Sequence, residues 1–201
     1  MRDDWVSPWW QALLIPERWD VCGVSVPSLS VWHVFALENV GNRYICGGST
    51  APDKDDAASL LLFARHDMAG GRRLFDLPNH RKRQTLSIYR KLKRCDDQYI
   101  TDACLEYVTV SMRHGTRISQ PGASGTPCGT PEPWAIVAML RAMGDTFSAA
   151  WNTPYATARA LLDAHAEGTG NAVMTPVYGE EMIDHWDEYK DQTDTREMKV
   201  A

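Results

Sequence analysis

The sequence has no apolar run long enough to cross a bilayer, which takes about 18 consecutive uncharged apolar residues. The opening residues 1–5 also lack the apolar segment of a secretory signal peptide. Positive charge is not in excess, because 21 Lys and Arg against 26 Asp and Glu give a formal net charge of −5. Domains whose whole surface binds nucleic acid are usually strongly basic, which disfavours that class. We expect an intracellular protein without a membrane-spanning segment.

Motifs for metal binding, phosphate binding and nucleophilic catalysis are also missing. The five cysteines show no CxxC spacing, and the six histidines form no HExxH or HxxxH pair. Residues 47–50 lack the lysine of a P-loop and are interpreted as a turn. Cys128 lies in a Gly/Pro-rich segment that is poorly suited to holding a histidine base beside it. His33 lies in an apolar stretch that favours a buried core histidine. We predict no catalytic residue, no metal site and no cofactor.

Apolar residues do recur at helical spacing, and helix caps separate the runs. In residues 26–48, Ser28 or Ser30 can cap an apolar helix over 31–40, and Gly41 supplies a left-handed exit. Further helices are predicted over 52–65, 79–94, 97–113, 132–143, 154–167 and 180–192, with a short helical piece that ends at Trp151 after the Gly144-Asp145 break.

These patterns predict an all-α fold, a single helical domain of about six to seven helices over 1–201. Val21, Val24 and Val26 lack strict alternation, so residues 20–26 could be a short extended piece, and a real sheet is not favoured there. The Gly70-Gly71 pair is taken as the exit of the second helix. The predicted parts are a Trp-rich arm (1–27), an N-terminal helical half (28–114), a flexible loop (115–133), a C-terminal helical half (134–192) and a tail (193–201).

Residues 115–133 contain four glycines and four prolines, with Ser and Thr filling much of the rest. Such a composition buries too little apolar area to fix one conformation. We therefore interpret the segment as a mobile loop that joins two helical halves.

Two groups of residues are candidate binding surfaces. Four of the eight tryptophans, Trp5, Trp9, Trp10 and Trp19, lie in the first 20 residues and are candidate protein-binding residues, although base stacking is a second use for such rings. Residues 72–94 carry nine cations opposed only by Asp76. The candidate contacts for nucleic-acid phosphates, or for an acidic partner, are Arg81, Lys82, Arg83, Arg90, Lys91 and Arg94.

Acidic residues form two groups. Asp53, Asp55 and Asp56 lie at a helix start, where they complement the helix dipole. The predicted last helix is also acidic, which usually indicates a solvated face; a docking surface is the alternative.

The order of several short motifs resembles bacteriophage tail assembly chaperone-like proteins. The motifs are Pro27-Ser28-Leu29-Ser30 before the apolar run 31–40, then Gly41, Tyr44-Ile45-Cys46-Gly47-Gly48, the helix 55–65, Ala138-Met139-Leu140, residues 147–154 with a Trp-x-x-Pro, and Ala164-His165-Ala166-Glu167-Gly168. The chain departs from the pattern in its basic segment, in its long Gly/Pro loop, and in His66-Asp67, where a Cys-Ser pair is expected.

The resemblance implies a non-enzymatic protein of a tailed phage or prophage that acts in the host cytoplasm. It would bind the tape measure protein during tail morphogenesis, and the tail-tube protein would then take over the same contacts. Two alternatives stay open. One is a virion structural protein, such as a head-completion or tail component, and the other is a small DNA-binding protein that uses residues 72–94. An enzyme built around Cys128 or His33 is the least favoured class.

Overall fold

The computed structural model describes residues 15–112, 117–119, 130–169 and 172–174. Its elements are β1 (Arg18–Val21), β2 (Val24–Pro27), α1 (Val31–Asn39), α2 (Arg43–Cys46), α3 (Lys54–Ala64), α4 (Met68–Asp76), α5 (Pro78–Leu92), α6 (Asp97–Ser111), β3 (Arg117–Ser119), α7 (Glu132–Ala142), α8 (Phe147–Asn152), α9 (Tyr155–Gly168) and β4 (Ala172–Met174). The predicted all-α class is confirmed, with short β-pairs added. Trp5, Trp9, Trp10, Cys128, the predicted helix 180–192 and the tail lie outside the described residues.

The predicted absence of a sheet near residue 21 is wrong. Strands β1 and β2 form an antiparallel hairpin in which Val21 pairs with Val24. The two turn residues between them, Cys22 and Gly23, both have positive φ, at 54° and 74°, which suits the twist of a two-residue hairpin. The Tyr107 hydroxyl donates a 2.6 Å hydrogen bond to the Pro27 carbonyl and so fastens the hairpin to α6.

Helix α1 begins and ends as the sequence predicts. Of the two candidate serines, Ser30 is the N-cap, and its Oγ accepts a hydrogen bond from the His33 backbone N–H. Ser28 instead accepts from the Trp19 indole N–H and donates to the Pro16 carbonyl. Gly41 has φ 66° just past the helix end, which is the left-handed exit.

Helix α3 forms the centre of the core. Asp53 caps its N-terminus by accepting from the backbone N–H groups of Asp55 and Asp56. The Arg43 guanidinium pairs with both Asp53 and Asp56, which ties α2 to the start of α3. The buried residues of α3 are Ala57, Ala58, Leu60, Leu61, Leu62, Phe63 and Ala64. Asp53 and Asp56 therefore have a structural role, as helix cap and as ion-pair partners of Arg43.

The Gly70-Gly71 pair does not end the second helix. Both glycines lie inside α4, which begins after its own N-cap, Asp67. Gly71 faces the edge of the Trp32 indole, and a Cβ built at Gly71 would be 2.8 Å from Cε2 and still closer to Nε1. Glycine is required here because α4 packs directly on Trp32. Trp32 is 39 positions away in the sequence, so no local sequence pattern predicts this contact.

Residues from both sides of the predicted loop share one hydrophobic core, in which Leu37 of α1 is buried together with Ile136 of α7 and Trp151 of α8. Helix α1 packs against α7, α8 and α9. Within the predicted loop, residues 117–119 form β3, which pairs antiparallel with β4, and residues 115–116 and 120–129 lie outside the described residues. A three-residue strand whose partner lies far along the chain gives no local pattern. Among the described residues, no helix is long and apolar enough to cross a membrane.

Candidate binding groove

A depression of about 490 Å³ opens where α1, α4, α7 and α8 meet, and most of its lining is aromatic. We call it the aromatic groove; its lining residues are Trp32, Phe35, Asn39, Met68, Arg72, Phe75, Asp76, Trp134, Phe147 and Trp151. Ligand sites in proteins are commonly concave, largely apolar and edged by a few polar groups, and this groove has that composition.

Trp151 of α8 forms the floor of the aromatic groove and is almost completely buried. Its ring lies 5.0 Å from the Trp134 ring centroid at an interplanar angle of 88°, and 5.3 Å from that of Phe35. Trp32 and Phe147 also meet Trp151 edge-on, at 6.3 and 6.1 Å. Edge-to-face packing is a preferred arrangement of aromatic rings, so the floor is held rigidly by its own contacts.

The rim of the aromatic groove consists of three large side chains that remain exposed to solvent. Phe75 is 41% exposed, Trp134 is 42% exposed and Phe147 is 46% exposed. They come from three different helices, α4, α7 and α8, and converge on one site. An apolar surface gathered in this way is typical of an interaction site rather than of scattered surface residues.

The polar groups of the aromatic groove do not form catalytic machinery. Arg72 and Asp76 lie one turn apart on α4, and the Asn39 side chain donates to the Phe35 carbonyl. The lining contains no cysteine, serine or histidine. One lone carboxylate without a nucleophile or an oriented base lacks the parts of an acyl-transfer or hydrolytic site. The geometry of the groove is suited to binding.

A second depression of about 390 Å³ adjoins the aromatic groove and shares Phe75 with it. It lies between α4 and α5, and its cations are Arg81 and Lys82. The Arg81 guanidinium lies 5.8 Å from the centre of the Phe63 ring, which in turn packs on Phe75. Together, the two depressions form a surface that is aromatic at one end and cationic at the other.

The predicted basic contacts lie on α5 or in the turn after it. Arg81 is half-buried, whereas Lys82, Arg83, Arg90, Lys91 and Arg94 are exposed. Lys91 donates to the Gly23 carbonyl at 2.6 Å. Throughout the part of the chain that the structure describes, none of the six forms an ion pair. Lys82, Arg83, Arg90 and Arg94 are therefore available to an external anion.

Charge differs between the two sides of the aromatic groove. Glu38 and Glu132 belong to α1 and α7, which also carry Asn39 and Trp134. Burial, and secondarily the nearby Glu132 carboxylate, raise the pKa of Glu38. Glu132 is paired with Arg159, and neither glutamate lines the groove. The α4/α5 side instead carries the lining cations Arg72, Arg81 and Lys82.

Trp19 does not line the aromatic groove. Its ring packs edge-on against Tyr107 at 5.9 Å, and its indole N–H donates to Ser28, so it anchors the β1–β2 hairpin. The groove residues Phe75, Trp134 and Phe147 were not among the sequence-predicted sites. Each lies near the end of a separate helix, and only the packing of those helices shows that the three rings share one rim.

His33 has the role that the sequence predicts, a buried histidine with both ring nitrogens satisfied. Its Nδ1 accepts from the Ser30 backbone N–H at 2.9 Å, so Nε2 carries the proton and donates to the His66 carbonyl at 2.8 Å. Burial lowers the pKa of His33 to about 4. Within the described ranges, no group of three His, Cys, Asp or Glu side chains could hold a metal ion.

No family model, curated protein or solved structure matches this chain. Its function must be inferred from its own residues.

Proposed function

We propose that this protein is a non-catalytic binding protein of the tail assembly chaperone type. It holds an apolar helical segment of a tape measure protein in the aromatic groove while the tail is assembled in the host cytoplasm. The observation that carries the proposal is the rim of exposed Phe75, Trp134 and Phe147 around the buried Trp151 floor.

The shape and chemistry of the aromatic groove suit a helical ligand. An amphipathic helix that enters a groove presents anchor side chains at positions i, i+3 or i+4, and i+7. Rigid aromatic walls give such anchors a large contact area with little loss of side-chain entropy. The groove is open along its rim, so a long client helix can enter from the side and leave when tail-tube subunits take over its contacts.

Co-expression with a tape measure protein, the proposed helix-rich client, tests the proposal. The wild-type protein should keep the client soluble, and Trp134→Ala combined with Phe147→Ala should reduce the soluble client several-fold. Truncation of an aromatic residue at an interface centre costs about 2 kcal/mol or more in binding. The matched control is Tyr99→Ala, which removes an exposed ring of α6 that is not part of the groove lining.

Two results would contradict the chaperone assignment. If wild type gives no rescue and instead copurifies with mature particles, the protein is a virion structural component. If Tyr99→Ala weakens rescue as much as the groove variant does, the aromatic groove is not the client surface.

A DNA-binding function is a second candidate because of one observation, the exposed cations of α5 that lack ion-pair partners among the described residues. Lys82, Arg83 and Arg90 lie on one face of α5, spread over about 12 Å, at the helical rise of about 1.5 Å per residue. This face can follow phosphates without reading sequence.

A further inference from the structure

The aromatic groove combines an apolar rim with a cationic side, and this combination restricts its occupant. Arg72 lines the groove itself, and Arg81 and Lys82 line the adjoining depression, against the single carboxylate of Asp76. A segment that fills both depressions must bring large apolar anchors for the rings of Phe75, Trp134 and Phe147. It must also bring carboxylates for the cations, because desolvating unpaired charges is costly.

The chain contains a segment with this composition. Residues 180–191, which lie outside the described residues, hold six carboxylates against Lys190 as the single lysine or arginine. Met182, Trp186 and Tyr189 occur at positions i, i+4 and i+7, which is the anchor spacing of a helix bound in a groove. The acidic residues that surround these anchors are Glu180, Glu181, Asp184, Asp187, Glu188 and Asp191.

Five residues connect this segment to the last described strand, which packs indirectly on a helix that lines the groove. The last described residue is Met174 of β4, and β4 packs against α9. Helix α9 packs in turn against α7, which carries the rim residue Trp134. The five residues 175–179 allow the chain to span about 20 Å when extended.

We propose that residues 180–191 of this chain occupy the aromatic groove of the same molecule in the absence of a client, with Trp186 as the central anchor. The inference rests on the proposed function of the groove, and it adds a way in which binding of a client to the groove is regulated. Because the segment is tethered, its effective concentration at the groove is in the millimolar range, so a weak contact suffices to cover the rim. A client must displace the segment, which lowers the client's apparent affinity.

Binding of a free peptide to the full chain tests this without any client. The probe is a fluorescently labelled peptide of residues 178–192, and its anisotropy is measured with wild type and with the full-length double variant Trp186→Ala, Tyr189→Ala. The variant, whose own segment has lost its anchors, should bind the peptide at least about tenfold more tightly than wild type does. Adding Phe147→Ala to the variant should abolish peptide binding, and adding Tyr99→Ala should not.

Three results would overturn the proposal: equal peptide affinity of wild type and the tail variant, absence of peptide binding to both, or peptide binding that survives Phe147→Ala. A wild-type mass that doubles with concentration in light scattering, and stays monomeric in the tail variant, would assign the segment to the groove of a second copy instead. Failure of the client experiment with a positive peptide result would remove the chaperone assignment and leave the tail contact in place.

Discussion

Gly71 of α4 lies directly against the indole edge of Trp32 on α1, with no room between them for a Cβ. The contact sets the distance between two of the helices that line the aromatic groove. It also leaves the Trp32 indole N–H buried without a hydrogen-bond acceptor among the described residues. The position of one wall of the groove therefore depends on a residue that has no side chain.

Gly71→Ala should destabilise the protein, although alanine is favoured over glycine in a helix by about 1 kcal/mol. The added methyl group must displace the Trp32 ring from a packed site, and such overpacking costs about 1 to 3 kcal/mol. The net loss should appear as a lower urea midpoint. In the neighbouring Gly70→Ala, the closest atoms belong to the side chains of Asp67 and His66, at 3.1 and 3.2 Å, and can shift. Its midpoint should change little, and equal stability of both variants would contradict the packing explanation.

Stability should fall as the pH drops below about 6.5 because of His33. Its pKa is lowered to about 4 in the folded protein from about 6.5 in the unfolded chain, so the unfolded chain binds more protons between these values. The free energy of unfolding should therefore decrease by about 2 to 3 kcal/mol between pH 7 and pH 4.5 from this group. Denaturant titrations at several pH values measure this slope. His33→Gln should flatten it, and an unchanged slope would show that other groups cause it.

Thiol labelling should separate the cysteines by burial. Burial raises the pKa of the Cys22 thiol to about 11 and that of Cys104 to about 12, so both stay protonated and covered at pH 7.5. Cys46 is exposed at the end of α2. Iodoacetamide followed by peptide mass mapping should label Cys46 in the native protein, and Cys22 and Cys104 only in denaturant. Rapid native labelling of Cys104 would mean that the packing of α6 is loose.

Duplex DNA should bind the exposed cations of α5 weakly and without sequence preference, because counterion release is the main driving force available. Titration of a labelled duplex at two salt concentrations should show affinity falling steeply as salt rises. Arg90→Ala with Arg94→Ala should weaken binding further, whereas Arg141→Ala, which removes a cation of α7, should not. Nanomolar, sequence-selective binding at physiological salt would favour the DNA-binding function over the chaperone function.

The features that could be predicted from the sequence are those encoded locally. Ser30 and Gly41 mark the two ends of α1, and Asp53 marks the start of α3. The predictions that failed involve distant partners. The β1–β2 hairpin is stable because α6 covers it, and Gly71 is inside a helix because Trp32 needs the space.

The candidate site was predicted less well than the fold. The tryptophan content of the first 20 residues predicts a protein-binding surface there. The rim of the groove is instead built from Phe75, Trp134 and Phe147, which are far apart in sequence. The candidate basic contacts lie on α5 or just after it, and all but the half-buried Arg81 are exposed, but whether they bind nucleic acid or an acidic partner stays a prediction. Their position beside an aromatic groove is a property of helix packing.

The backbone N–H of Val31 donates to the Thr153 carbonyl, and that of Tyr155 donates to the Leu29 carbonyl. These bonds join the start of α1 to the start of α9, and α1 also packs on α7 and α8. During synthesis, the face of α1 that packs on α7, α8 and α9 therefore stays uncovered until most of the chain has left the ribosome, whereas α3 and α4 are made early enough to cover the rest of α1. A ribosome that stalls before Thr153 would leave this face of α1 exposed to other nascent chains, which favours misassembly at that stage.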